Sequence, residues 1–256
     1  MLNEFLYRNV NYFEYDGKSS LDFGILVESV SGVYGSPLPV FNKVNVPGRG
    51  TVLISTKNDE LDNDEFEDGK RTYVVHMIPD IDSEQDLEQM ARNLHSWLYR
   101  NVAYKDLNDS YDKDYRRKAY VADQMSIEQI AAGLMGRLEI TFTCKAFKYD
   151  VKGLEKTVLT AAGSVFNTTG YTSYPHMRLY GSGEIILKVN DRDHIITIDD
   201  EYIDIDSELM SSYKEGVLKN SNTSMTHYPK LIPGLNNISW TGNLTRLEIR
   251  PRWCTL

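Results

Sequence analysis

Five histidines, two cysteines and two dense acidic runs are the groups from which catalysis or metal binding would have to be built in this chain. Nucleophilic catalysis needs a Ser, Cys or Thr beside a base that a third group orients. No G-x-S-x-G turn is present, and His76, His95, His176, His194 and His227 are scattered without triad or ligand spacing. They read as surface or half-buried histidines. No H-x-H, H-x-x-x-H or C-x-x-C pattern exists to seat zinc. The sequence therefore predicts no catalytic, cofactor-binding or metal-binding residues, no cofactor, and a protein that is not an enzyme.

The acidic runs do not change that reading. Asp59, Glu60, Asp62, Asp64, Glu65, Glu67 and Asp68 superficially resemble a calcium loop, but Phe66 stands where an oxygen ligand is required. A solvated loop is expected there. The second run, Asp199, Asp200, Glu201, Asp204, Asp206 and Glu208, is interleaved with Tyr202, Ile203 and Ile205, as in a strand with an acidic outer face. Gly181 and Gly183 give G-x-G without a third glycine or a following helix, so no dinucleotide cradle is expected. Gly48 and Gly50 read as a turn after Pro47.

The elements that position these groups are mostly strands. From Arg137 to Cys144 apolar Leu138, Ile140, Phe142 and Cys144 alternate with polar neighbours, a period of two that buries one face. Shorter runs recur at Thr72–Ile78, Glu184–Val189, His194–Ile198, Glu201–Ile205 and Leu244–Ile249. Turn chemistry separates them, as at Tyr180–Gly183 and Val189–Asp193. One helix is predicted over 83–98, with Leu87, Met90, Ala91, Leu94, Trp97 and Leu98 on a single stripe and Ser83 as its cap. A shorter helix is expected around Ser126–Ala132. A domain boundary falls between Lys148 and Ala162, after which the strand pattern resets.

Composition bounds the class. With 41% hydrophobic and 25% charged residues the chain has globular material for a core, and its 17 tyrosines suit half-wet strands and interfaces. A net charge of -9 argues against specific nucleic-acid binding, which usually needs a basic stripe. The densest basic cluster, Arg116-Arg117-Lys118, reads as a solvated loop. No apolar run approaches the roughly 18 residues of a membrane span, and the N-terminus lacks signal-peptide order. Folding in a reducing cytoplasm follows, with Cys144 and Cys254 unpaired.

Several motifs then fall in a telling order. YFEYDGKSSLDFGI (Tyr12–Ile25), NVPGRGTV (Asn45–Val52), HSWLY (His95–Tyr99), YRRKAYV (Tyr115–Val121) and GRLEITFTCKAFKY (Gly136–Tyr149) occupy the first half. YPHMRLYGSGEIILKVN (Tyr174–Asn190), ITIDDEYIDIDSE (Ile196–Glu208), YPKLIPGLNNISWTG (Tyr228–Gly242) and RLEIRPRW (Arg246–Trp253) occupy the second. In kind and order the chain resembles the distal tail proteins, often called Dit, of siphophages infecting Gram-positive bacteria. It departs at the turn after Pro47, where Arg49 runs directly into Gly50 without an Asn, and in the long acidic stretch that follows.

The resemblance implies a mainly β protein with one clear amphipathic helix. A tail-tube-like, ring-forming β domain would span 1–150, with 244–256 as a candidate completion of it. A galectin-like β-sandwich would span 160–243. The implied protein is a structural homohexamer of the virion tail tip, assembled in the host cytoplasm, with stacked rings as an option. Its ring joins the tail tube to the baseplate or tail fibre around a DNA channel. Its partners are the tail-tube protein, the tail-associated lysin or tail fibre protein and the receptor-binding protein, and not membrane. The alternative is a carbohydrate-binding β-sandwich contributing to host adsorption, for which His176, Arg178, Asn190 and Trp240 are the polar and aromatic candidates.

Overall fold

The computed structural model describes residues 10–32, 37–45, 52–56, 66–79, 86–130, 135–225 and 227–256. Ser83, the turn around Gly48 and Gly50, and Asp59–Glu65 lie outside them. The chain divides into two compact units, the first running through Lys148 and the second spanning Tyr149–Thr255.

The first unit carries β1 (Phe13–Tyr15), β2 (Lys18–Ser19), β3 (Ile25–Ser31), β4 (Phe41–Asn45), β5 (Val52–Thr56), β6 (Gly69–Met77), α1 (Leu87–Leu98), β7 (Lys105–Asp109), β8 (Tyr115–Val121), β9 (Glu128–Ile130) and β10 (Met135–Asp150). One sheet runs β2-β1-β7-β8-β10-β6-β3, with β9 paired to β10, while β4 and β5 form a separate two-stranded pair. The alternation read from Arg137–Cys144 is present, with Leu138, Ile140, Phe142 and Cys144 pairing along the whole of β6, and the strand continues beyond that pairing to Asp150. The expected helix at Ser126–Ala132 is instead β9, which pairs Ile130 with Met135 and Glu128 with Arg137. A neighbouring strand supplies hydrogen bonds that so short a helix could not offset by its own propagation. Arg116-Arg117-Lys118 likewise lies in β8 rather than in a loop.

Helix α1 starts later than its pattern suggests. Asp86, not Ser83, caps it, its carboxylate accepting from the Gln89 amide at 2.7 Å. The stripe is buried as expected: Leu87, Met90, Leu94, Trp97 and Leu98 enter one core with Phe13, Tyr15, Tyr73, Val75, Ile140 and Phe142. Trp97 stacks on Phe23 at 4.3 Å and on Phe13 at 5.7 Å, and its indole N–H donates to the Tyr15 carbonyl at 3.0 Å. Both its apolar area and its one donor are satisfied.

The second unit carries β11 (Thr157–Leu159), β12 (Gly163–Asn167), β13 (His176–Val189), β14 (Arg192–Ile198), β15 (Tyr202–Asp206), β16 (Ser211–Lys214), β17 (Val217–Leu218), β18 (Thr223–Ser224), β19 (Gly234–Arg250) and β20 (Cys254–Thr255). Two long strands organise it. The first half of β13 pairs with β15 and its second half with β14, while β19 takes β12 along its first half and β11 along its second. The Tyr180–Gly183 stretch, expected as a turn between strands, is a bulge inside β13. Its glycines permit that: a Cβ on Gly181 would lie 2.1 Å from the Asn243 carbonyl oxygen, and Gly183 has φ +75°. Both layers close over one core of Val165, Met177, Leu179, Ile185, Ile196, Ile203 and Ile238.

In the C-terminal segment Leu247, Ile249 and Trp253 are buried in the second unit's core, while β20 pairs with β10. β19 reaches Arg250 alongside β13, and the Asp150 amide donates to the Trp253 carbonyl at 2.9 Å.

Three substitutions test this packing. Trp97→Ala should destabilise the first unit by about 3–5 kcal/mol through lost area and the cavity left behind, measured by chemical denaturation. Gly242→Ala, at φ +93° with a Cβ placed 2.4 Å from the Glu184 carbonyl oxygen, should cost at least roughly 1–3 kcal/mol. Gly69→Ala, where a Cβ meets nothing within 4 Å, should melt like the parent.

Candidate functional site

The second acidic run becomes the most organised polar feature of the second unit. Tyr202 to Asp206 form β15, paired with β13 on one side and β16 on the other. An outward acidic face was expected, yet Asp204 and Asp206 are 1% and 2% exposed. Cations cover them. Arg178 grips Asp204 with two bonds, Nε to Oδ1 at 2.7 Å and Nη2 to Oδ2 at 2.8 Å. Arg252 grips Asp206 in the same bidentate way at 2.7 and 2.8 Å. Such paired geometry offsets the cost of removing carboxylates from water.

His176 adds to this cluster, its Nε2 standing 3.4 Å from Asp204 Oδ1. Burial drives its pKa below the ordinary 6.5, with Asp204 pulling partly in the other direction. Burial of Asp206 would raise its carboxyl, but the Arg252 hydrogen bonds and charge outweigh it and hold the group low. Beyond the carboxylates the face is a ladder of rings and cations. Arg178 lies over Tyr202 at 4.4 Å, Lys214 over the same ring at 4.7 Å, and Arg246 over Tyr180 at 3.9 Å.

These contacts decide what the face can do. A sugar site needs a bare aromatic platform beside free hydrogen-bonding groups. Here Arg178 is committed to Asp204, and the rings of Tyr180 and Tyr202 already carry guanidinium or ammonium groups. Asn190 and Trp240 are not gathered with His176 and Arg178. Asn190 bonds Asn236 and the Asn237 amide, and the Trp240 indole donates to the Leu244 carbonyl. Arginine and tyrosine displayed together are characteristic of protein–protein contact surfaces.

Other candidates take quieter places. His76 meets Glu28 at 2.9 Å, His95 is exposed with its ring edge-on to Tyr99, His194 is buried in the sandwich, and His227 is exposed. Burial pushes the Cys144 thiol up to about 11 and the Cys254 thiol up to about 12, away from nucleophilic character. Among the described residues no group of three or more His, Cys, Asp or Glu could hold a metal ion. Arg117 of the basic triplet is buried on Asp112, while Arg116 and Lys118 both reach Asp106. In the first unit a cleft beside the end of α1 is lined by Lys18, Phe23, Trp97, Arg100 and Lys105. Its Lys105 is bound to Asp16 at 2.7 Å and to the Arg100 carbonyl at 3.0 Å.

Arg252 and the burial of Asp204 and Asp206 were not readable beforehand. A weak signal existed: along Tyr202–Asp206 acidic residues alternate with apolar ones, which marks one face as carboxylate-bearing without saying what covers it.

The profile of the phage tail protein RIFT-related domain matches residues 65–144. No curated protein sequence matches the chain significantly. Among solved structures, the chain is similar to the Dit protein of phage SPP1, a hub of the adsorption apparatus in phages infecting Gram-positive bacteria. That likeness has a TM-score of 0.70 at 16% identity and covers 97% of this chain and 100% of the other. A chain of the phage p2 baseplate in its activated conformation is similar with a TM-score of 0.52 at 10% identity, covering 94% and 97%. The resemblance to distal tail proteins carried by the ordered motifs is thus met by the fold and by a phage-tail segment.

Histidine burial gives a pH test. His194 is also held below 6.5, first by burial. The unfolded chain therefore takes up protons near pH 6.5 that the folded state refuses, so stability is complete above that pH and declines as pH falls below it. The thermal midpoint should fall between pH 7 and pH 5, and His194→Gln should flatten that slope. An unchanged slope in the variant would assign the decline to other groups.

Proposed function

We propose that this protein is a structural component of a siphophage tail tip, a distal tail protein whose first unit closes a sixfold ring. The observation that carries this reading is the likeness to SPP1 Dit along the whole of both chains, with the tail-domain segment lying inside the first unit. The ring joins the tail tube to the baseplate or tail fibre protein, and the second unit serves as the attachment point for a receptor-binding protein. The Arg–Tyr face of β13, β15 and β19 suits that role, because it offers large side chains already held in place by ion pairs and ring contacts.

The charge of the chain fits a conduit. At -9 per copy, a ring repels the phosphate backbone, and DNA passing through does not adhere. No turnover is expected of such a protein: its function is geometric, and its residues hold partners rather than transition states.

Closed rings need a heterologous contact, in which different patches of one copy meet those of the next. Negative-stain imaging of the purified protein and of assembled tails tests the proposal. Sixfold rings at the end of the tail tube are the expected result. Copies at positions without sixfold symmetry would exclude it. Zinc or calcium bound stoichiometrically to purified protein, or hydrolysis of cell-wall polymer in a zymogram, would equally count against a purely structural role.

A further inference from the structure

The cleft beside the end of α1 gathers polar groups that the fold does not use. It measures about 420 Å³, room for several side chains but not for a folded surface. Asn93, Ser96, Trp97 and Arg100 reach it at helical spacing from one side of α1 and the turn that follows. Lys18 comes from β2 and Lys105 from the start of β7.

Its charges are unequal. Asp16 is matched by Lys105, whose second bond, to the Arg100 carbonyl, braces the turn that carries Arg100. Lys18 and Arg100 are exposed, and among the described residues neither forms an ion pair or a side-chain hydrogen bond. Asn93 gives its side-chain oxygen to Gln89 at 3.1 Å, which leaves its NH2 group to donate. Ser96 and Asn101 have no side-chain partner among the described residues. Two free cations and three neutral groups able to donate call for a ligand that accepts and carries negative charge.

The rings decide which anion. Phe23 and Trp97 lie parallel at 4.3 Å, Trp97 and Phe13 parallel at 5.7 Å, and Lys18 Nζ stands over Phe23 at 6.0 Å. With their faces taken up in this column, the rings leave no bare platform for a nucleobase to stack on. A ring engaged on its face still offers its rim, the positive part of its quadrupole, which favours a carboxylate oxygen. A lone phosphate would fill only a fraction of the volume and leave the neutral donors unused.

We propose that this cleft binds an acidic segment of a partner protein. One carboxylate pairs with the Arg100 fork and a second with Lys18, while Asn93, Ser96 and Asn101 donate to the segment's backbone carbonyls. The brace at Lys105 holds Arg100's backbone in place beforehand, which lowers the ordering cost of binding. The inference stands apart from the tail-tip reading, since it concerns the first unit of a single copy.

Fluorescence anisotropy tests it, with a dye-labelled peptide in which two glutamates flank a phenylalanine titrated with the full chain. Saturable binding that weakens as salt rises is expected. Lys18→Gln and Arg100→Gln should each weaken it about three- to fivefold, as one exposed charge contact allows, and the double variant more. Both residues are exposed, so the variants should melt like the parent. Arg192→Gln, which removes an exposed cation of β14, should bind as the parent does. Absence of saturable binding, equal binding of a peptide with glutamine in place of glutamate, or undiminished binding by the double variant would each overturn the proposal. So would displacement of the peptide by equimolar inorganic phosphate or single-stranded DNA, since that result assigns the cleft to phosphate groups.

Discussion

The second unit depends on one constraint, the pairing of β13 with β19 through a change of register. Between Tyr180 and Ile186 the two strands slip, and each then continues with a different second neighbour. One pair of strands can therefore contribute to both layers of a sandwich. The slip demands backbone contact closer than any side chain allows, and glycine stands on both sides of it, at Gly181 and at Gly242. The consequence is visible in burial along β19. Asn236, Ile238 and Leu244 are buried at even positions and Leu247 and Ile249 at odd ones, so the bulge transfers the apolar face from one side of the strand to the other. Without that change of face, Leu247 and Ile249 would point into water.

Each unit also contains a carboxylate knot. In the first, Asp109 accepts from Arg71 Nε at 2.6 Å and Tyr73 Oη at 2.5 Å, with the Tyr111 and Asp112 amides at 2.9 and 3.0 Å. Arg71 is 1% exposed and points into the core side of β6, where an aliphatic residue would be the ordinary occupant. In the second, Asp204 and Asp206 play the same part with Arg178 and Arg252. Replacing such pairs with apolar residues is often neutral, whereas removing one partner strands a buried charge. Their contribution is therefore to register: Asp109 accepts these bonds only if β7 and β6 stand at the correct relative position.

The surface divides in a way that matches a protein working by contact. The face across β15, β13 and β19 is dense with arginine, lysine and tyrosine in mutual contact, while the cleft beside α1 keeps Lys18 and Arg100 free of ion pairs among the described residues. The first suits a broad, polar contact and the second the capture of carboxylates. Neither holds an activated nucleophile, and the two thiols are buried and raised in pKa.

Local periodicity alone determined much of this protein. The alternation in β10 and the apolar stripe of α1 were legible because strand and helix periods act within a few residues. The ordered motifs similarly pointed to the distal tail fold. Only tertiary structure decided the rest. The Tyr180–Gly183 stretch has turn composition, and nothing nearby says that a strand 60 residues later will hold it straight. Residues 126–130 suit a helix until Met135–Arg137 offers a hydrogen-bonding partner. The acidic run of β15 reads as solvated because its neutralising arginines, Arg178 and Arg252, lie 26 and 46 residues away. Burial of a charge depends on whether a counter-charge arrives, and that arrival is a property of the fold, not of the segment.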